Sequence, residues 1–156
     1  MISGAGTGTY LFEASSKVFT ELQAGSYIFM DAAYAKNRSA DCNSIGEFEH
    51  SLFIWTTVMS RPTAERAVVD AGLKALGVDA GMPDVSCLDG AHYTRASDEH
   101  GIVYLEGMAQ GLPVGQQLKL IPANCDPTVN LHDWYVGLRN GRVEAIWPVS
   151  ARGPGY

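Results

Sequence analysis

The stretch with the most potential chemistry reads Pro122-Ala123-Asn124-Cys125-Asp126-Pro127-Thr128-Val129-Asn130. It sets an amide oxygen, a thiol and a carboxylate in a row between two prolines. Proline disfavours helical backbone in the residue before it, so Ile121 and Asp126 are expected to be extended. Alternate side chains of an extended segment share a face. Asn124 and Asp126 would then point one way, and Cys125 the other, as a buried thiol. An amide oxygen beside a carboxylate suits a hard cation such as Mg²⁺, Mn²⁺ or Ca²⁺ better than zinc. The same residues also suit a surface Asx-turn.

A second candidate is Ser3-Gly4-Ala5-Gly6-Thr7-Gly8-Thr9. Alternate glycines leave backbone N–H groups unshielded and the hydroxyls add donors, which is what a phosphate-cradling loop needs. The spacing is neither a dinucleotide fingerprint nor a Walker loop, and Gly-Thr runs also make ordinary turns. His100 and His132 could act as acid–base or ligand residues, or simply satisfy polar turns. His50 and His92 have no partner in sequence.

The elements that must position these residues read mostly as strands. Ala14 to Leu22 and Gln23-Ala24-Gly25-Ser26-Tyr27 lead into Tyr27-Ile28-Phe29-Met30, an expected buried strand. Residues 37–47 read as a polar surface connection. Leu52 to Ser60 is rich in aromatic and β-branched residues and is expected to stop before Pro62. Ala64 to Leu76 suits either a helix or a strand that ends at Asp70-Ala71-Gly72. Gly101 to Glu106 is a strand after the Ser97–Gly101 turn, and Gln116 to Ile121 alternates polar and apolar. Trp134 to Arg139 and Arg142 to Trp147 are two strands joined by Asn140-Gly141, a pair that tolerates the positive φ angles of a type I′ hairpin turn. Trp55, Trp134 and Trp147 sit in strand patterns and are expected in the core.

The 156 residues, 46% hydrophobic, are enough for a substantial core. A net charge of -6 and a pI near 5.1 argue against nucleic-acid or anionic-membrane partners. No apolar run reaches the length of a membrane span, and the first residues lack the basic start and hydrophobic core expected of a signal peptide. Cys42, Cys87 and Cys125 are an odd number at wide spacings, which suits reduced thiols in a cytoplasmic compartment.

The Pro122–Thr128 stretch resembles the metal loop of the pyridoxal-phosphate-dependent D-threonine aldolase and D-serine dehydratase family. That loop runs roughly Pro-x-His-x-Cys/Asp-Pro-Thr. Asp126 matches the acidic ligand, and Asn124 stands where the family has His, with His132 the first residue to look to for compensation. Ser3 to Glu13 and Glu21 to Tyr27 resemble late segments of the family's cofactor barrel. Val69 to Leu76, Ser97 to Gly101 and Trp147 to Gly153 resemble blocks of its C-terminal β domain.

The resemblance implies a mainly β chain. Residues 1–31 would be a remnant βα portion from the end of an α/β barrel, and residues 32–156 an antiparallel β domain. It implies a lyase acting on D-β-hydroxy-amino acids, an aldolase or a dehydratase. Gly6, Thr7, Gly25 and Ser26 would hold the phosphate of pyridoxal phosphate, Gln23 would lie near its ring, and Asn124 and Asp126 would hold a divalent metal. The Schiff-base lysine of the family has no counterpart, since Lys17, Lys36, Lys74 and Lys119 all lack its context. The chain therefore reads as the C-terminal part of such an enzyme: a fragment, the product of a broken gene, or one half of a split enzyme. A homodimer or a separate barrel half would be its partner, and Ile2 to Asp31 is expected to be held by that partner, to pack on the β domain or to be poorly ordered. The alternative is a non-catalytic β module for assembly or metal binding.

Overall fold

Ile54, Thr56 and Val58 are buried while Trp55 and Met59 are exposed, the two-residue period of a strand covered on one face. The computed structural model describes residues 1–37 and 47–153, and in it this strand is central. In chain order the elements are β1 (Ser3–Gly4), α1 (Tyr10–Ser15), β2 (Glu21–Leu22), β3 (Ile54–Thr63), β4 (Arg66–Val69), β5 (Asp84–Val85), β6 (Ala91–Ala96), β7 (Gly101–Leu105), β8 (Gln117–Ile121), α2 (Cys125–Asn130), β9 (Trp134–Arg139) and β10 (Arg142–Pro148), with short 3-10 turns at Ser26–Ile28, Tyr34–Lys36 and Gly107–Gly111. The chain is mainly β, as expected.

Six strands form one sheet in the order β5-β8-β3-β4-β7-β6, every neighbouring pair antiparallel. Its buried face carries Val58, Ala67, Val69, Val103, Leu105, Leu118 and Leu120, closed by Leu76 and Leu112. Ala64–Leu76 resolves as β4 followed by the turn at Gly72. That turn docks on the Ser97–Gly101 turn: Leu73 N–H donates to Ser97 O at 2.8 Å and Lys74 N–H to Asp98 O at 2.9 Å. A Cβ on Gly72 would lie 2.2 Å from Ser97 O, so only glycine permits this approach.

Four expectations need correction. Tyr27–Met30 is not a buried strand: Met30 N–H donates to Ser26 O at 2.7 Å, Tyr27 and Ile28 are exposed and only Met30 is fully buried. A short apolar run carries no period that separates a strand from a coil. Strand β3 does not stop before Pro62 but runs through it to Thr63. Pairing with β4 shifts register between Val58 and Ser60 and again before Thr63, so Pro62 lies in an irregular stretch of the ladder, where its missing N–H is tolerated. The three tryptophans are not core: Trp55, Trp134 and Trp147 are all more than half exposed. Asn124–Asp126 is not a continuous extended segment, because Cys125 opens α2. The 37–47 connection and Cys42 fall largely outside the described residues.

The Asn140-Gly141 hairpin forms as expected, with φ of 50° and 74° at the two turn residues. Among the described residues it pairs only with itself, as a separate two-stranded sheet. A third sheet holds β1 and β2, which run parallel with Ser3 opposite Glu21 and Gly4 opposite Leu22. The link from β2 towards β3 is tied to the loop before α2, since Ala32 N–H donates to Pro122 O at 2.9 Å and Ala33 N–H to Ala123 O at 3.2 Å.

Candidate functional site

Parallel pairing of β1 and β2 sets the geometry of the first candidate. Both strands deliver the chain to turns at the same end, Gly6-Thr7 after β1 and Gln23 to Ser26 after β2. Carboxyl ends of adjacent parallel strands are where α/β barrels bind phosphate. Thr7 is 2% exposed, and its Oγ1 has no hydrogen-bond partner among the described residues. A buried hydroxyl left unpaired costs about 1–3 kcal/mol, so the turn is short of one partner. Gly6 O takes the N–H groups of Thr9 at 3.1 Å and Tyr10 at 3.0 Å, which curls the turn over Thr7. A Cβ built on Gly6 would lie 3.6 Å from Tyr34 Oη, and one on Gly25 would meet nothing within 4 Å. Gly25 opens onto solvent, and the Thr7 hydroxyl is a donor of the kind that a phosphate oxygen accepts. Gln23 is turned elsewhere: its Nε2 donates to Glu21 Oε1 at 3.3 Å.

The second candidate is the start of α2. Asn124 keeps extended backbone and caps the helix, its Oδ1 accepting from Asp126 N–H at 3.2 Å. Pro127 falls in the first turn, where helical N–H groups have no partner and a proline costs little. The cap explains why the extended reading of Asp126 fails and why the Asx-turn reading is locally right. Asp126 is exposed in the first turn. Asn124 Nδ2 donates to Asp79 Oδ2 at 2.8 Å, a carboxylate that sequence reasoning missed. The donor set here is all hard oxygen, which suits Mg²⁺, Mn²⁺ or Ca²⁺ rather than zinc. No three His, Cys, Asp or Glu side chains among the described residues group closely enough to hold a metal by themselves.

Cys125 is buried and donates its thiol to Met30 O at 3.2 Å. Burial, with Asp31 and Asp126 nearby, pushes its pKa up to about 12, so it stays a thiol. Asp31, also missed, is 1% exposed. It accepts from Tyr34 N–H at 2.8 Å and from Cys125 N–H at 3.4 Å, and so joins the segment after β2 to the head of α2. A carboxylate directly after an apolar run was the signal available for it.

The histidines have other employment. His132 bonds through Nε2 to Ala75 O at 2.8 Å, and His92 pairs with Glu106 at 3.2 Å on the surface. His50 Nε2 is buried without a partner among the described residues. His100 lies close enough to Asp70 for its charge to act on that carboxyl.

The model described as the putative serine dehydratase domain matches residues 51–138, more than half of the chain. Over 99% of its length the chain is 54% identical to 3-hydroxy-D-aspartate aldolase of Paracoccus denitrificans, covering 40% of that protein. All of it superposes on 42% of D-threonine aldolase from Filomicrobium marinum, with a TM-score of 0.91 and 45% identity. A cysteine-to-alanine mutant of D-threo-3-hydroxyaspartate dehydratase in its metal-free form is more distant, with a TM-score of 0.72 and 26% identity over 94% of this chain and 43% of that one. The chain thus spans about two fifths of the length of the relatives it matches.

Proposed function

This chain belongs to the putative serine dehydratase domain family, and we propose that it contributes the phosphate-holding turns and the metal loop of an aldolase for D-β-hydroxy-amino acids. Aldolase is favoured over dehydratase because the aldolase relatives are 54% and 45% identical, against 26% for the dehydratase. The observation that carries the reading is the Thr7 hydroxyl, buried and without a partner among the described residues, at the carboxyl end of a parallel strand pair.

Cleaving the Cα–Cβ bond leaves an electron pair on Cα, and pyridoxal phosphate, when bound, supplies the sink for it. Thr7 and Ser26 would bind the cofactor's phosphate through their hydroxyls, and Gly6 and Gly25 would let it approach their backbone amides. Gln23 would reach the ring only by releasing Glu21. Asp126, with the Asn124 amide oxygen, would hold Mg²⁺, Mn²⁺ or Ca²⁺ weakly, and the chemistry supplied there would be a lower pKa for a hydroxyl bound to the cation. The lysine that carries the cofactor would come from an upstream barrel or a separate barrel half. Lys74 is paired with Glu99 at 2.7 Å and Lys119 lies over Phe53 and Trp55, which favours, as a second reading, a non-catalytic module serving assembly.

Calorimetry with inorganic phosphate and with pyridoxal phosphate tests the site, on this chain and on a fusion to a relative's upstream barrel. Thr7→Val is expected to weaken either ligand by ~3–10-fold, the worth of one hydrogen bond. Absence of binding by both proteins would sink the reading.

A further inference from the structure

Segment 75–79 lies along α2 in the opposite direction and touches it at every second residue. Ala75 O bonds to His132 Nε2 at 2.8 Å, Gly77 N–H donates to Thr128 Oγ1 at 3.1 Å, and Asp79 Oδ2 accepts from Asn124 Nδ2 at 2.8 Å. The approach is close: a Cβ on Gly77 would lie 2.8 Å from Pro127 Cγ. Thr128 is fully buried and its hydroxyl also donates to Asn124 O at 2.8 Å. Asp79 is therefore delivered to Asn124 by two anchors that do not involve it.

We propose that Asp79 is a positioning residue for the metal loop: it takes a hydrogen from the side chain at position 124 and thereby fixes which atom of that side chain faces the start of α2. With Asn124 in place, Nδ2 is held by Asp79 and Oδ1 is left beside Asp126. An amide oxygen has two lone pairs, so Oδ1 can accept from Asp126 N–H and still meet a cation. With an imidazole at position 124, the same carboxylate would take one ring N–H and free the other nitrogen as a ligand, the carboxylate–imidazole–metal arrangement that orients many metal-bound histidines. The inference rests on the proposed metal reading of Asn124 and Asp126 and adds the group that orients them.

Mn²⁺ binding to the full chain, followed by electron paramagnetic resonance and calorimetry, tests it. Asn124→His should tighten Mn²⁺ binding. Adding Asp79→Ala to that variant should weaken it again by ~10–100-fold, and Asp79→Asn, which keeps an acceptor oxygen, should lose less. Equal affinity with and without Asp79 would overturn the proposal. If Asn124→His gains no affinity, the metal reading itself fails, and the positioning claim is then decided by NMR of the Asn124 side-chain amide. Asp79→Ala should shift that amide and speed its exchange with solvent, and an unchanged resonance would overturn the proposal. Circular dichroism on each variant separates loss of positioning from loss of fold.

Discussion

Asp70 shows how a single side chain at a turn can set a pH response. It is an exposed carboxylate at the end of β4, where Thr56 Oγ1 and Thr57 N–H both donate to its Oδ1 at 2.7 Å. Burial pushes its pKa up, but those hydrogen bonds, that of its own backbone and the charge of His100 outweigh burial and leave the pKa below the ordinary aspartate value. A depressed folded-state pKa means that the stabilisation is present above the ordinary value and is lost as pH falls through the lower one. Asp70→Asn is expected to cost about 1 kcal/mol or less at neutral pH, since exposure weakens such contacts, and to flatten the acid limb of stability. Urea midpoints measured from neutral pH into the acid range check it, and parallel curves for both proteins would contradict it. The residues that matter most at this scale were only partly legible in the sequence. Thr7, Asn124 and Asp126 stood out by type and spacing, whereas Asp31 and Asp79 did not, because their partners lie 94 and 45 residues away.

At the scale of elements, the sequence was most legible where a local rule decides. Asn140-Gly141 fixes its turn through the two positive φ angles it tolerates, and the alternation in β8 survives into the structure as buried Leu118 and Leu120. It was least legible at α2. Pro127 reads as a helix breaker, but a proline in the first turn removes no helical hydrogen bond, and the Asn124 cap is enough to start the helix. The cap supplies a prediction. Asn124→Ala removes the acceptor for Asp126 N–H and should cost about 1 kcal/mol. Asn124→His should cost a similar amount in metal-free solution and recover it when Mn²⁺ is added, because a ligand bound only by the folded state stabilises it. Thermal melts with and without Mn²⁺ measure both effects, and an Asn124→Ala variant as stable as the native chain would show that the cap is not what holds α2.

Across the whole molecule the distribution of apolar surface is lopsided, and no strand-level pattern could have foretold it. The six-stranded sheet buries its inner face, yet register places Trp134, Val136, Leu138, Val143 and Ile146 together on one face of the β9–β10 hairpin, each of them 55–60% exposed. Leu11, Phe12, Val18 and Ile28, on and around the β1–β2 pair, are 50–58% exposed as well. A two-residue period says that a segment is a strand but not what will cover it, which is why the tryptophans were expected inside. A lone hairpin is marginal in water, and contiguous apolar surface of this kind marks an interaction site. The parallel pair β1–β2 also has unpaired outer edges among the described residues, suited to further parallel strands. An upstream barrel portion, proposed above to complete the site, is the partner we propose for this surface. Mixed with the upstream barrel portion of a related aldolase, it is expected to form a one-to-one complex in which the fluorescence of Trp134 changes as solvent leaves it, while Trp147, opposite Tyr135 on the other face of the hairpin, changes less. Val136→Lys with Ile146→Lys should abolish the complex while leaving the melting of the six-stranded sheet near that of the native chain. Sedimentation separates the outcomes. Mass that rises with the concentration of this chain alone indicates self-pairing, and a monomer that ignores the barrel portion would remove the case for that partner.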